Sequence, residues 1–332
     1  MKILFEHNGI LPVKKYGGTE RILYWHMKEL IRQGHEVYLI GNPKSQLAHT
    51  GIKLIPELHS RSGDFRSLIP KEIDVVHLFY TPSFALDHPL VVTIEGNGKV
   101  GEEFHHNTVF ISKKHAENHA GKTFVYNGID LSEYPFPKQL TLAYPDHPLY
   151  WQHFLFLAKA KWSVKNLEGA SKACKENKKH LHIAGGRVFS FSSTMHSYGM
   201  VDQQKKLQLL QKVSALIFPV RWHEPFGIAI IEAMAMGVPV IGTPYGSLPE
   251  LISSDSGVIC KTYEELVTTL KEFPQRHFSP LKIRKYLEEK FSIAKMTSDY
   301  LALYKQVKSG EKIHQQKPHY TLQNSAEELL PF

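Results

Sequence analysis

Residues 215–253 read ALIFPVRWHEPFGIAIIEAMAMGVPVIGTPYGSLPELIS. The apolar run at the start of this stretch predicts a buried strand that ends at Val220. Pro225 is a favoured first residue of a helix, and Gly237 is expected to end that helix. The next apolar run, Val238–Ile241, predicts a second buried strand. A strand, a helix and a strand in this order form the unit from which parallel sheets are built.

Two glutamates stand in this unit at positions where a carboxylate can carry chemistry. Glu224 directly precedes Pro225 and is therefore expected at the helix N-terminus, where free N–H groups attract anions. Glu232 lies about two turns inside a helix that is apolar nearly all round, as a buried helix is. A buried carboxylate needs hydrogen-bond donors, and the two hydroxyls of a ribose are suitable donors. Gly227 permits close approach of a ligand to the backbone.

The alternation of strands and helices extends outward from this stretch in two series. Ile3–Phe5 predicts the first buried strand of one series, and Phe154–Leu157 predicts the first strand of the other. Between them, the proline-containing residues 131–150 break the pattern and predict a linker. The sequence therefore predicts an α/β protein of two Rossmann-like domains that face each other across a cleft, where ligands of open parallel sheets bind.

We predict an N-terminal domain over residues 1–145 and a C-terminal domain over residues 146–290. A final helix over residues 291–309 and a polar tail over residues 310–332 follow. The tail has no periodicity and is expected to be mobile. Within the domains, Phe124–Tyr126 is predicted as a strand, and the Ser-rich stretch 187–199 is predicted as an irregular loop.

Composition narrows the class of protein. The mean hydropathy is −0.27, and no apolar run is long enough for a membrane-spanning helix. The two cysteines, Cys174 and Cys260, are too few for a disulfide framework or a four-cysteine zinc site. The N-terminus shows no secretory signal, so a cytoplasmic protein is expected.

The formal net charge of +8 lies in the second half of the chain. Basic and acidic residues number 16 and 16 over residues 1–150, against 24 and 16 over residues 151–332. This excess is equally consistent with a solubilising surface and with an anionic ligand such as a phosphorylated small molecule. Neither half has the interleaved basic and aromatic residues of a nucleic-acid module.

Several familiar motifs fail on inspection. Gly96–Gly101 matches the G-x-G-x-x-G string, but seven residues separate it from the strand expected at Val109, too few for the helix that receives a pyrophosphate. An NAD-dependent oxidoreductase is therefore a remote alternative. The chain contains no Asp-x-Asp and no H-E-x-x-H spacing, so no metal site is predicted.

The stretch from Glu224 to Ile241 resembles the signature E-P-F-G-x-x-x-x-E-A-M-A-x-G-x-P-V-I of the retaining GT-B glycosyltransferases of family 4. Gly17-Gly18-Thr19-Glu20-Arg21 is similar to the Gly-Gly loop near that family's N-terminus, and Tyr126-Asn127-Gly128-Ile129-Asp130 to the segment before its linker. Phe291-Ser292, with two tyrosines after it, resembles the family's final helix, which packs back on the N-terminal domain. The resemblance covers most of the chain.

This resemblance implies a metal-independent, retaining transfer of a sugar, with a nucleotide diphosphate sugar as the donor. By resemblance, Lys165 neutralises the leaving diphosphate, Glu224 contacts hydroxyls of the donor sugar and Glu232 holds the ribose. The N-terminal domain is implied to bind the acceptor and to close on the same diphosphate through Gly17 and Gly18. The family's backbone N–H groups that cradle the phosphate or the sugar correspond here to Phe226, Gly227 and Ile228.

The sequence departs from the family pattern at two places. The family usually has Gly-Arg before the lysine, whereas residues 158–165 read AKAKWSVK. We expect Lys159 to be the second diphosphate cation, with Lys161 as the fallback, and a lysine lacks the bidentate fork of arginine. Glu95 occupies the place after the fifth strand where the family often has a histidine near the donor sugar. Glu95 is therefore a candidate donor-binding residue, and the identity of the donor stays open.

The expected function is hexosyl transfer to a glycan, lipid-linked or small-molecule hydroxyl acceptor, in bacterial surface glycan or lipopolysaccharide synthesis. No cofactor, metal or nucleic acid partner is expected. Contact with the inner face of the membrane is expected to be peripheral at most, since the N-terminal half has no basic excess. Two alternatives remain open at this point, a nucleotide-sugar epimerase of the same fold and a non-catalytic sugar-nucleotide binding protein.

Overall fold

The computed structural model describes residues 1–14, 17–57, 63–136, 152–189, 192–323 and 328–332. The chain forms two compact units. The first is built from Met1–Val13, Gly17–Ile129 and Ser292–Ser325, and the second from Lys14–Tyr16, Asp130–Phe291 and Ala326–Phe332. The predicted α/β class with two Rossmann-like domains is confirmed, because each unit contains a six-stranded parallel sheet with helices.

The sheet of the first unit has the strand order β3-β2-β1-β4-β5-β6. The chain order reverses between β1 and β4, and such a switch point is where ligands of open parallel sheets bind. The central strands β1 and β4 are almost fully buried, as expected for strands that are covered on both faces. The strands are β1 Lys2–His7, β2 Glu36–Gly41, β3 Lys53–Pro56, β4 Val75–Leu78, β5 Leu90–Thr93 and β6 Thr108–Val109.

Among the described residues, the α-helices of the first unit are α1 Gly18–Arg32, α2 Lys113–Glu117 and, near the C-terminus, α9 Ile293–Lys308. A buried polar network fastens α9 to this unit. The hydroxyl of Tyr304 lies 2.8 Å from Nε2 of His26 and 2.7 Å from Nδ1 of His77, and all three side chains are almost fully buried. The chain therefore returns to its first unit at Ser292, before its last residues rejoin the second.

The sheet of the second unit repeats the same topology, with the order β12-β11-β10-β7-β8-β9 and a switch point between β7 and β10. The strands are β7 His153–Leu157, β8 His180–Ala184, β9 Met195–Ser197, β10 Ala215–Phe218, β11 Val240–Gly242 and β12 Gly257–Ile259. The helices are α3 Leu167–Glu176, α4 Gln203–Leu210, α5 Ile228–Ala235, α6 Leu248–Leu251, α7 Tyr263–Glu272 and α8 Pro280–Phe291. Apolar side chains from β7, β8 and β10 pack with α3 and α7 into the core of this unit.

The structure corrects three local predictions. The Ser-rich stretch 187–199 contains strand β9, which pairs in parallel with β8. The predicted strand Phe124–Tyr126 is reduced to a single bridge between Phe124 and Phe110. Residues 130–136 belong with the second unit, whereas we predicted that the first domain extends to residue 145. Residues 137–151, which include that predicted boundary, lie outside the described residues.

Residues 314–320 of the polar tail are also better ordered than the sequence predicts. His314 Nε2 lies 2.8 Å from the carbonyl oxygen of Thr108, and the amide of Tyr320 donates to the carbonyl of Glu102. These hydrogen bonds hold residues 314–320 on the first unit, although the tail lacks the apolar periodicity from which a packed element is predicted. In the described part of the chain, no helix combines the length and the apolar character needed to cross a bilayer.

Candidate functional site

The switch point of the second sheet brings together Lys165 and Glu224, two of the residues that the sequence analysis singles out. The segment after β7 reaches Lys165 in a 3-10 turn, Ser163–Lys165, and the segment after β10 reaches Glu224. The ammonium Nζ of Lys165 lies 2.5 Å from Oε2 of Glu224. Both side chains are about nine-tenths buried. A charged pair therefore occupies the point of the sheet where ligands of this topology bind.

Aromatic rings enclose this pair. Nζ of Lys165 lies 4.6 Å from the ring centroid of Trp222, 5.1 Å from that of Trp162 and 5.4 Å from that of Phe218. The indole Nε1–H of Trp222 donates a 2.6 Å hydrogen bond to the same Oε2 of Glu224. An ammonium over aromatic faces is stabilised by the ring quadrupoles. The surroundings therefore fix both charges in place.

The loop after β11 packs directly on the backbone of Glu224. The amide of Ser247 donates to the carbonyl of Glu224 at 2.9 Å, and its hydroxyl donates to the carbonyl of Phe226 at 2.7 Å. Gly246 has φ +60°, and a Cβ at this position would lie 2.2 Å from the carbonyl oxygen of Glu224. Only glycine fits such a close approach. The loop after β11 therefore holds the turn that contains Glu224.

The helix that follows begins later than we predicted. Pro225 is not its first residue, because Gly227 adopts a left-handed conformation (φ +89°) and α5 starts at Ile228. Glu224 therefore stands in the turn before the helix. The backbone of Phe226, Gly227 and Ile228 leads into the helix N-terminus, where no side chain caps the N–H groups. This arrangement retains the feature that favours an anion.

Glu232 lies about one turn into α5, rather than the two turns that we predicted, because the helix starts late. It is buried, and its Oε1 accepts a 2.6 Å hydrogen bond from the hydroxyl of Tyr134. The ammonium of Lys206, from α4, contacts the same oxygen and donates to the Tyr134 hydroxyl at 3.1 Å. The sequence predicts that this carboxylate needs partners but does not identify either of them.

Lys159 and Lys161 both lie on the segment between β7 and Lys165, and both are exposed. Nζ of Lys159 lies 5.7 Å from the ring centroid of Trp162, the indole that also faces Lys165. Gly185 (φ +131°) positions this segment, since a Cβ there would lie 1.8 Å from the carbonyl oxygen of Ala158. The shared indole favours Lys159 over Lys161 as a neighbour of Lys165.

In the first unit, Gly17 and Gly18 stand where α1 begins. Gly17 has φ +147° and caps the helix through its backbone, and a Cβ there would lie 2.8 Å from Oε2 of Glu20. Gly17 therefore needs the conformational freedom of glycine. No structural observation tests a role for either glycine in binding, so that role stays a prediction.

Glu95 follows β5 at the C-terminal edge of the first sheet. Burial raises the pKa of its carboxyl to about 7, with a further contribution from the charge of Glu20, while a hydrogen bond from Asn127 acts in the opposite direction. Nδ2 of Asn127 donates to Oε2 of Glu95 at 3.0 Å, whereas Oε1 is buried and has no hydrogen-bond partner among the described residues. Near neutral pH this carboxyl therefore exchanges between an acceptor and a donor form.

The C-terminal residues of the chain contact the loop after β10, which carries Glu224. The sequence analysis does not predict this contact. Nε of Arg221 donates to the carbonyl of Leu330 at 2.7 Å, and the amide of Leu330 returns a 2.8 Å bond to the carbonyl of Arg221. The hydroxyl of Tyr245 donates to the carbonyl of Pro331. Within the described ranges, no three His, Cys, Asp or Glu side chains converge as ligands for a metal ion.

The comparisons with known proteins agree with this geometry. Residues 152–290 match the family described as "Glycosyl transferases group 1". Among curated proteins, the N-acetyl-alpha-D-glucosaminyl L-malate synthase of Bacillus anthracis is 30% identical over 141 residues, 40% of this chain and 34% of that protein. The alignment thus spans about a third of the relative's length. Residues 152–290, which lie in the second unit, are therefore similar to group 1 glycosyltransferases.

Solved structures share the whole fold at low sequence identity. AviGT4, a glycosyltransferase involved in avilamycin A biosynthesis, superposes with a TM-score of 0.76 at 18% identity, over 93% of this chain and 98% of AviGT4. Anabaena HepE in complex with UDP-glucose gives a TM-score of 0.63 at 14% identity, over 93% and 99%. The lipopolysaccharide outer core galactosyltransferase WaaB gives 0.63 at 15% identity, over 91% and 99%. The predicted GT-B architecture is confirmed.

Proposed function

We propose that this chain, whose residues 152–290 match the group 1 glycosyltransferase family, is a metal-independent, retaining glycosyltransferase that uses a nucleotide diphosphate sugar as its donor. The observation that carries the proposal is the buried pair of Lys165 and Glu224 at the sheet switch point, beside the uncapped N-terminus of α5. A cation and free N–H groups at one place suit a diphosphate. The structural neighbour HepE, described in complex with UDP-glucose, supports this class of donor.

The proposed chemistry is electrostatic. Breaking the bond between the anomeric carbon and the diphosphate oxygen develops positive charge on the sugar and negative charge on the departing phosphate. The ammonium of Lys165 stabilises that negative charge without a metal, and a preorganised charge requires little rearrangement during the reaction. Lys159 is the proposed second cation on the diphosphate. The departing phosphate accepts the proton of the acceptor hydroxyl, and the sugar bonds to the acceptor on the face that the phosphate leaves.

Glu224 and Glu232 are assigned to the donor's sugar hydroxyls and ribose, respectively. The buried, hydrogen-bonded state of both carboxylates supports this assignment, since such groups are oriented before a ligand arrives. The candidate residues of the first unit are Gly17, Gly18 and Glu95, and they are assigned to the donor on the resemblance alone.

The acceptor is proposed to be a hydroxyl of a surface glycan or lipopolysaccharide. The protein is proposed to act in the cytoplasm or at the inner face of the membrane. The similarity of fold to WaaB supports this class of acceptor.

The decisive assay incubates the purified chain with UDP-glucose, GDP-mannose or ADP-glucose in EDTA, with and without a panel of hydroxyl acceptors. Release of free nucleoside diphosphate that requires an acceptor, with an α-linked product by NMR, is the expected result. Isomerised donor without any acceptor would instead identify an epimerase. Binding of a nucleotide with no turnover of any donor would identify a non-catalytic binding protein. Loss of turnover in EDTA, restored by Mg²⁺, would contradict metal independence.

A further inference from the structure

A second buried pair of charges lies in the second unit, next to the residues that the sequence singles out. Lys206, on α4, contacts Oε1 of Glu232, on α5, and the hydroxyl of Tyr134 donates to the same oxygen at 2.6 Å. Lys206 is 3% exposed, Glu232 is 5% exposed and Tyr134 is fully buried. These three side chains, which we call the Glu232 trio, come from three separate segments of the chain.

Each segment of the trio is fixed by backbone contacts of its own. Nη1 of Arg284 donates at 2.7 Å to the carbonyl of Tyr134 and at 2.7 Å to that of Ala235, so one guanidinium ties the Tyr134 segment to the end of α5. Nε2 of Gln203, in the first turn of α4, donates at 3.1 Å to the carbonyl of Glu133. The donors that meet Oε1 are therefore held independently of any ligand. Fixing one oxygen of a carboxylate also fixes the direction of the other.

Charge compensation is the second consequence of the contact. A carboxylate that is removed from water without a cation favours its protonated form. The ammonium of Lys206 on Oε1 favours the ionised form, and the phenol of Tyr134 adds a donor that also prefers a charged acceptor. An ionised carboxylate accepts hydrogen bonds from hydroxyls at both oxygens, whereas a protonated one offers less acceptor capacity.

We propose that Lys206 and Tyr134 are positioning residues, which keep Glu232 ionised and oriented to accept the hydroxyls of a nucleotide ribose. This inference rests on the proposed function, in which Glu232 holds the ribose. Neither residue touches the sugar that is transferred. The trio thereby determines specificity for a ribonucleotide over its 2′-deoxy counterpart, because recognition of the 2′-hydroxyl depends on the ionisation and orientation of the Glu232 carboxylate.

The test is calorimetric binding of UDP, GDP and ADP, and of their 2′-deoxy counterparts, to the full chain. The central variant is Lys206→Met, which keeps the length of the side chain and removes its charge. Its matched control is Lys205→Met on the same helix, since the ammonium of Lys205 lies over the ring of Tyr198 instead. Tyr134→Phe, which removes one hydroxyl, is the second and milder variant.

At pH 7 we expect Lys206→Met to bind the ribonucleotide about tenfold more weakly than the control, the scale of losing hydrogen bonds to a charged group. The 2′-deoxynucleotide offers only its 3′-hydroxyl to Glu232, so the difference between Lys206→Met and the control should be smaller for it. Raising the pH should restore ribonucleotide affinity in Lys206→Met relative to the control, because the uncompensated Glu232 then loses its proton. Tyr134→Phe should show the same selectivity loss on a smaller scale.

A melting curve of each variant without nucleotide separates binding from folding. If Lys206→Met does not fold, Tyr134→Phe carries the test through its ratio of ribose to deoxyribose affinity. An unchanged ratio and an unchanged pH profile in the folded variants would overturn the role of the trio, while wild-type binding would leave the proposed function intact. Failure of the wild type to bind any nucleotide would overturn the proposed function and this inference with it.

Discussion

The ammonium of Lys165 lies 2.5 Å from Oε2 of Glu224, although the two residues are 59 positions apart in the sequence. Strands β7 and β10 are neighbours across the switch point, and this adjacency brings the two following segments together. Under the proposed function, a diphosphate would bind this ammonium, and the pair would hold the cation in position before the donor arrives.

Replacing the lysine tests that role. Lys165→Ala should lower kcat for sugar transfer by roughly 10²–10³-fold, the range typical of removing one preorganised contact to developing charge. The control is Lys175→Ala, an exposed lysine on α3. Steady-state kinetics at saturating donor measure the effect. A Lys165→Ala enzyme with wild-type kcat would show that this ammonium does not stabilise the leaving group.

Trp222 is expected to orient Glu224 through its indole N–H. Trp222→Phe keeps an aromatic face near Lys165 but removes the 2.6 Å hydrogen bond to Oε2 of Glu224. We expect kcat/KM to fall about tenfold, because a hydrogen bond to a charged acceptor is lost. Trp162→Phe, which also keeps a ring beside Lys165, should change kcat/KM much less. Equal losses in the two variants would indicate that ring packing, rather than the hydrogen bond, determines activity.

Gly246 should tolerate no side chain. A Cβ there would lie 2.2 Å from the carbonyl oxygen and 2.3 Å from the amide nitrogen of Glu224. Gly246→Ala should therefore displace the Glu224 turn and weaken nucleotide binding, in addition to a left-handed strain of about 1 kcal/mol. Gly34→Ala separates the two effects, because Gly34 has φ +84° and open space around its Cβ position. Equal unfolding free energies and equal nucleotide affinities for both variants would contradict the close approach.

The buried histidines of the first unit predict a loss of stability in acid. Burial lowers the pKa of His26 to about 3 and lowers the pKa of His77 well below its usual value, so both are neutral in the folded protein. In the unfolded chain, each of these two histidines takes up a proton as the pH falls below about 6.5. This uptake lowers the free energy of the unfolded state relative to the folded state. The free energy of unfolding should therefore be fully retained above pH 6.5 and should decrease from there towards pH 3.

Urea unfolding between pH 4.5 and 7.5 measures this slope. His26→Gln removes one titrating group and should reduce the pH dependence by up to about 1.4 kcal/mol per pH unit, the slope for one proton. His49→Gln, at an exposed position, should leave the dependence unchanged. If His26→Gln kept the full slope, the histidine would not be held neutral by the fold.

The sequence predicts the existence of the buried strands well and their ends to within two residues. The predicted strands Ile3–Phe5 and Phe154–Leu157 lie within β1 and β7, whereas the strand predicted to end at Val220 ends at Phe218. The prediction fails where a local pattern is weak: β9 is short and polar, and its pairing with β8 is what makes it a strand. The start of α5 was predicted too early because proline is a common first helical residue, whereas the left-handed Gly227 delays the helix here.

The candidate site was predicted in part for a related reason. Glu224 and Glu232 stand out in the sequence by their positions at the start of and within an apolar helical stretch, whereas Lys165 stands out only through the resemblance to the family. Their partners do not, because Lys206 is 26 positions from Glu232 and Tyr134 is 98 positions from it, and both sit in ordinary polar segments. A carboxylate in an apolar helix signals that a partner exists. Only the folded chain identifies which lysine and which tyrosine supply it.

The most direct test of the central claim is the melting temperature of the wild-type chain with UDP, GDP, ADP, CMP and NAD, in EDTA, compared with Glu232→Gln. We predict that one nucleoside diphosphate at 100 times its dissociation constant stabilises the wild type by about 2.7 kcal/mol, a shift of several degrees, and that Glu232→Gln loses most of this shift. Stabilisation by NAD alone, no shift with any nucleotide, or an equal shift in Glu232→Gln would contradict a nucleotide-sugar site at the switch point of the second sheet.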